Sequence, residues 1–156
     1  MKISVSAYSF NQAIKQGKMT QMDCIKKAKE LGFSGIEFTE IDGAPDFDVQ
    51  IENAKKLRME AKRHDMEIVA YAIGAVLYQD TPEASKNEVD RLKHEVDIAK
   101  ALGAPVMRHD VCYELGKSGN ARSFDLMLPT IAENIRAVTE YAMQQGIRTC
   151  TENHGF

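Results

Sequence analysis

The sequence predicts an α/β fold in which parallel strands alternate with the helices that cover them. Three observations predict it. Short apolar or β-branched runs recur, starting near residues 3, 34, 67, 105 and 148. Between them lie longer segments with an apolar stripe at helical spacing. Several of the runs carry ionisable residues within them or at their ends. Strand and helix in strict alternation imply a parallel sheet, helices packed on it, and right-handed crossovers.

The first strand is Ile3 to Val5, with Tyr8 and Phe10 following. Thr20 caps the first helix, which sets Cys24, Ile25, Ala28 and Leu31 on one face and stops at Gly32. Gly35-Ile36-Glu37-Phe38 is the second strand. A polar loop from Asp42 to Asp48 leads into a helix striped by Ile51, Ala54, Leu57 and Ala61. Glu67 to Ile73 reads as a third strand buried on both faces. Ser85-Lys86-Asn87-Glu88 has the form of a capping box. The helix it opens carries Val89, Leu92, Val96, Ala99 and Leu102, and Gly103 ends it. Val106-Met107-Arg108 is the fourth strand, followed by a longer loop with Gly116 and Gly119. A fourth helix spans about Phe124 to Gln145, Gly146 stops it, and Arg148 to Thr151 is the fifth strand.

Two architectures accommodate five such units. An open doubly wound sheet suits the length, but its usual chemistry sits on glycines in the first strand–helix loop. Here that loop is Ala7-Tyr8-Ser9-Phe10-Asn11, with no glycine before Gly17, and no GxxxxGK[ST] phosphate loop occurs. A (β/α)8 barrel allots roughly 30 residues per unit and builds its site at the C-terminal ends of the strands. That is where Arg108-His109-Asp110 and Glu152-Asn153-His154 fall. The expectation is a TIM-type barrel, with this chain carrying about the first five strands and four helices of one domain over residues 1–156.

The 156 residues suffice for one core, at 44% hydrophobic and 28% charged. A formal net charge of -3 argues against a nucleic-acid or membrane-surface binder. Lys55-Lys56 and Lys62-Arg63 read as solvated helix faces. Cys24, Cys112 and Cys150 are odd in number and without a CxxC pair, which suits free thiols in a reducing compartment. No apolar run nears the roughly 18 residues of a membrane span, and the start lacks a secretory h-region. A cytoplasmic location is expected.

Three segments resemble one family. They are Leu31-Gly32-Phe33-Ser34-Gly35-Ile36-Glu37, then Ala99-Lys100-Ala101-Leu102-Gly103-Ala104-Pro105-Val106, then Thr151-Glu152-Asn153-His154-Gly155. In this order they resemble the sugar phosphate isomerase/epimerase superfamily, the xylose isomerase-like barrels. The resemblance implies one divalent metal ion (Mn, Mg, Co or Zn) at the strand ends. Glu152 would be a ligand and an acid/base. The remaining ligands of such families come from the sixth to eighth strands, beyond Phe156, so this chain alone is expected to lack a complete site.

The candidate residues follow. Glu152 is the expected catalytic residue and metal ligand. A carboxylate suits a hard divalent ion and can take a proton next to a carbonyl. Asn153 and His154 beside it would contact substrate hydroxyls or orient it. Neighbouring strand residues face opposite ways, so only one of Arg108 and His109 faces the axis. His109 is favoured there, as a substrate contact. Glu37 is an acid within an apolar strand and must be paired or functional. Tyr8 would line the mouth, as would Tyr71, though an isolated aromatic is more often core. His64 and His94 read as solvated.

The expected function is a metal-dependent isomerase or epimerase of a small sugar, sugar phosphate or keto acid, with a carbohydrate as partner. A dehydratase or lyase on the same scaffold is the alternative. Another is a non-catalytic half barrel, for which a homo-oligomer would cover the open strand edges. An endonuclease is disfavoured because a multi-metal site needs several histidines, and two of the four here lie on helices.

Overall fold

The computed structural model describes residues 1–112 and 123–152. The strands are β1 (Ser4–Ser6), β2 (Gly35–Thr39), β3 (Glu67–Ile73), β4 (Val106–His109) and β5 (Arg148–Thr151). The helices are α1 (Asn11–Lys15), α2 (Gln21–Glu30), α3 (Phe47–Arg63), α4 (Pro82–Leu102) and α5 (Phe124–Gln144). A 3-10 turn at Ala7–Phe10 runs into α1, a single short helix that adds a fifth to the four expected.

All five strands are parallel, and they lie side by side in chain order, β1-β2-β3-β4-β5. A doubly wound sheet reverses its order at a switch point. No reversal occurs among these strands, as a barrel segment requires. One sheet face is apolar: Ile36, Phe38, Ile68, Tyr71, Ile73 and Met107 share one core with Ile25, Leu57, Leu92, Val96 and Val138 of the helices. The opposite face is polar or small, with Ser6, Glu37, Thr39, Ala72 and Arg108 lining a groove. A sheet apolar only toward its helices is the wall of a barrel.

Local chemistry sets the element ends. Thr20 Oγ1 accepts from Asp23 N–H at 3.2 Å, and Asp23 Oδ2 accepts from Thr20 N–H at 2.8 Å, a reciprocal cap on α2. Leu31 corrects its expected place on the buried face. It is the C-cap residue of α2 and is 57% exposed. Helix α4 begins one turn before the expected Ser85. Thr81 is its N-cap and Pro82 its first residue, a position where the missing N–H is harmless. Ser85 and Glu88 instead reach back to the preceding loop, accepting from Gln79 N–H at 3.0 Å and Val76 N–H at 2.9 Å. Gly103 ends α4 at φ 81, where a side chain would strain the backbone. The three cysteines are free. Among the described residues no helix is long and apolar enough to cross a membrane.

The β2–β3 register slips by one residue, Ile36 facing Ile68 and Glu37 facing Ala70, so Val69 bulges. Gly35 makes room beside it. A Cβ there would lie 2.6 Å from Ser4 Oγ and 2.7 Å from Val69 Cγ1. Gly35→Ala must therefore displace the Ser4 and Val69 side chains and crowd the Glu67 carbonyl at 3.2 Å, and an expected loss of about 1–3 kcal/mol is checked by urea unfolding. An unchanged midpoint would mean that these groups move aside at no cost.

Candidate active site

The groove on the polar face measures about 1050 Å³ and opens at the C-terminal strand ends. Its walls come from the strand ends and the segments that follow them, α1 among them. Ser6 ends β1, Tyr8 sits on the turn after it, Glu37 and Thr39 are two apart on β2, Ala72 lies on β3, and Arg108 on β4. Glu152 follows β5 directly. Period-two alternation explains this lining. Ile36 and Phe38 are fully buried toward the helices, which leaves Glu37 for the groove.

Arg108 and Glu152 form the centre. Arg108 Nε lies 3.1 Å from Glu152 Oε2 in an ion pair, and the same guanidinium bonds Asp110 Oδ1 through Nη1. The register explains the meeting: Arg108 lies between Ala72 of β3 and Cys150 of β5, both small. The Arg108 side chain is 20% exposed and that of Glu152 is 53% exposed. Glu37 is half-buried, and among the described residues it has no hydrogen-bond or ion-pair partner. Tyr8 is 68% exposed and stands on the rim. The groove carries the carboxylates of Glu37, Glu40, Asp42 and Glu152 against the cations of Lys15 and Arg108.

His109 corrects an expectation. It does not line the groove, and its exposure is 0%. The reason is strand parity. Met107 is buried in the core with the helices, so His109 shares its side and Arg108 takes the axis. Its Nδ1 lies 2.8 Å from the Asp110 carbonyl, while Nε2 is buried without a partner among the described residues. Tyr71 is fully buried and donates to Glu95 Oε2 at 2.7 Å, so it does not line the mouth. His64 bonds Glu60 Oε1 at 2.9 Å, and the His94 ring packs 4.6 Å from that of Phe47. Asn153 and His154 lie outside the described residues.

Burial lowers the His109 pKa below its ordinary 6.5, against weaker opposing pulls from the Asp110 carbonyl and charge. An unfolded chain then takes up this proton before the folded one does, so stability falls as pH drops through about 6.5 and below. The loss stops growing once pH passes the folded value. His109→Gln is expected to shrink the difference in urea midpoint between pH 7.5 and 5.5. An equal difference in both proteins would assign the pH dependence to other groups.

The fit of a divalent ion depends on the donor set. Among the described residues no group of three or more His, Cys, Asp or Glu could hold one. Glu152 is a single hard oxygen donor with Oε2 already on a guanidinium. These residues by themselves do not make a metal site.

Sequence reasoning passed over Arg108 and left Asp110 without a role. The missing signal was parity: apolar Val106 and Met107 are adjacent, so the inward side of β4 is ambiguous until its pairing is known.

A family model described as xylose isomerase-like TIM barrel matches residues 25–156. No curated protein matches the sequence. Solved structures share the fold. D-psicose 3-epimerase, crystallised with D-fructose, is 17% identical with a TM-score of 0.72, covering 99% of this chain and 55% of its own. A sugar phosphate isomerase/epimerase from Parabacteroides distasonis is 15% identical with a TM-score of 0.71, covering 98% and 51%. The 3-keto-D-glucoside 4-epimerase from E. coli is 14% identical with a TM-score of 0.64, covering 83% and 49%. The chain spans about half the length of the solved structures it matches.

Proposed function

Because the chain belongs to the xylose isomerase-like TIM-barrel family, we propose that the whole protein is a sugar isomerase or epimerase. The reaction is proton transfer on a carbon next to a carbonyl, and Glu152 carries the proton. One observation supports this above the others. The Glu152 carboxylate stands at a strand's C-terminal end, in the groove, with Oε2 tied to Arg108 and Oε1 free of any partner among the described residues. A carboxylate so placed can remove an α-proton and return it.

The other groups bind. Glu37 and Thr39 face the same space and can accept from or donate to sugar hydroxyls. Tyr8 offers an exposed ring to an apolar sugar face at the rim. Four carboxylates against two cations favour an uncharged sugar over its phosphate. Epimerisation requires a second proton carrier on the opposite face of the substrate, which we assign to the part of the whole protein outside this chain. A divalent ion would polarise the carbonyl if the whole protein binds one, with Glu152 as one ligand and the others from outside these residues.

The test is turnover. The whole protein is incubated with free ketoses, D-fructose among them, and with their phosphates, and the sugars are followed by 13C NMR. A free ketose is expected to convert, and faster than its phosphate. Conversion of none would remove the isomerase reading. Conversion of phosphates alone would remove the preference for an uncharged sugar.

A further inference from the structure

We propose that Arg108, anchored by Asp110, is the positioning residue for Glu152, and that it selects Oε1 as the oxygen that carries the proton. This rests on the reading of Glu152 as proton carrier and specifies how that carrier is held.

A glutamate at a strand end with 53% of its side chain exposed is free to sample several rotamers. One contact restricts that freedom, the 3.1 Å ion pair from Arg108 Nε to Oε2. Oε1 then projects without a partner among the described residues. A guide must itself be fixed, and Arg108 is. Its guanidinium is planar and also bonds Asp110 Oδ1, so one rigid group spans two carboxylates.

Asp110 is fixed in turn. It is 7% exposed, its N–H donates to the Ile73 carbonyl at 3.2 Å, and its own carbonyl lies 2.8 Å from His109 Nδ1. A chain of contacts thus runs from the buried helix side of β4, through His109 and Asp110, to Arg108 and out to Glu152. It gives the buried histidine a purpose its absence from the groove left open. A lysine at 108 could not reproduce it, because an ammonium has no fork to hold both carboxylates in one plane.

A merely structural Arg108 would tie β4 to β5 and affect only stability. Kinetics of the whole protein on its fastest ketose separates the two roles. Arg108→Ala is expected to lower kcat about 10²-fold with KM within about threefold. Added guanidinium ion at low millimolar concentration should restore part of kcat, and Arg108→Lys should recover less than half of the loss on a logarithmic scale. Asp110→Asn, which keeps an acceptor oxygen, should fall between wild type and Arg108→Ala. An unchanged kcat in Arg108→Ala, or a rise in KM alone, would overturn the proposal. If wild type converts no sugar, the reaction reading fails, and crystal structures of the whole protein judge the positioning alone. Glu152 displaced in Arg108→Ala and in place in wild type supports it. Glu152 in the same place in both overturns it.

Discussion

Replacing Glu152 by glutamine is expected to lower kcat of the whole protein by about 10²- to 10⁴-fold. Stability and KM should barely change. The amide keeps the volume, and its oxygen can still face the Arg108 guanidinium. With the Glu152 side chain 53% exposed, the lost ion pair contributes at most about 1 kcal/mol. What disappears is the ability to take and return a proton, an interaction used only at the reacting step, so kcat and kcat/KM should fall together. Steady-state kinetics beside urea unfolding checks this. A variant that keeps more than a tenth of wild-type kcat would move the proton carrier elsewhere, with Glu37, a second strand-borne acid in the groove, as the next candidate.

The largest expected effect on stability belongs to Arg91, behind the groove. Its Nε and Nη2 hold both oxygens of Glu88 at 2.8 Å, its Nη1 lies 3.1 Å from Glu95 Oε1, and Nη2 donates to the Gly74 carbonyl at 2.7 Å. Glu88 also accepts from Val76 N–H, and Glu95 from Tyr71. One arginine thus binds α4 to the loop after β3, and Gly74 of that loop lines the groove. Burial raises Glu95, with Tyr71 and Arg91 opposing it. Burial also pushes Glu88 up, but the Arg91 and Val76 bonds outweigh it and leave it low.

Arg91→Met leaves two carboxylates, 14% and 13% exposed, without their cation. Breaking a fully buried pair costs about 3–5 kcal/mol. Because Arg91 is 42% exposed, solvent replaces part of the attraction, and about 2–3 kcal/mol is expected. The sign with pH follows. Without the cation both folded carboxylates have higher pKa values, so the deficit is full above them and shrinks as pH falls through them. Urea unfolding at pH 7.5 and 5 measures both quantities. Equal stability of variant and wild type at pH 7.5 would reduce the network to a surface ion pair.

The fold was readable in the sequence to the extent that local chemistry decides it. The bounds of β3 and β5 coincide with those expected, and Thr20, Gly32, Gly103 and Gly146 mark helix ends as expected. The start of α4 was misplaced because Ser85 and Glu88 have the composition of a cap while bonding to loop residues. Helix α1 is one turn long and has no buried residue, so no apolar stripe announces it.

The candidate site was readable in part. Glu152 and Glu37 stand out as acids in or after strands, and both line the groove. The exchange of Arg108 for His109 depends on which side of β4 meets the helices, and the pairing of Arg108 with Glu152 on a register between two strands. Neither is local, so neither can be read from a window of sequence.

The most direct measurement of the central claim follows the hydrogen at the reacting carbon during turnover of a ketose in deuterated water, by proton and deuterium NMR. Proton transfer through a carboxylate that meets solvent requires deuterium in the product at that carbon in wild type, with incorporation and turnover both lost in Glu152→Gln. Product that keeps its original hydrogen would indicate an internal hydride shift and contradict the role given to Glu152.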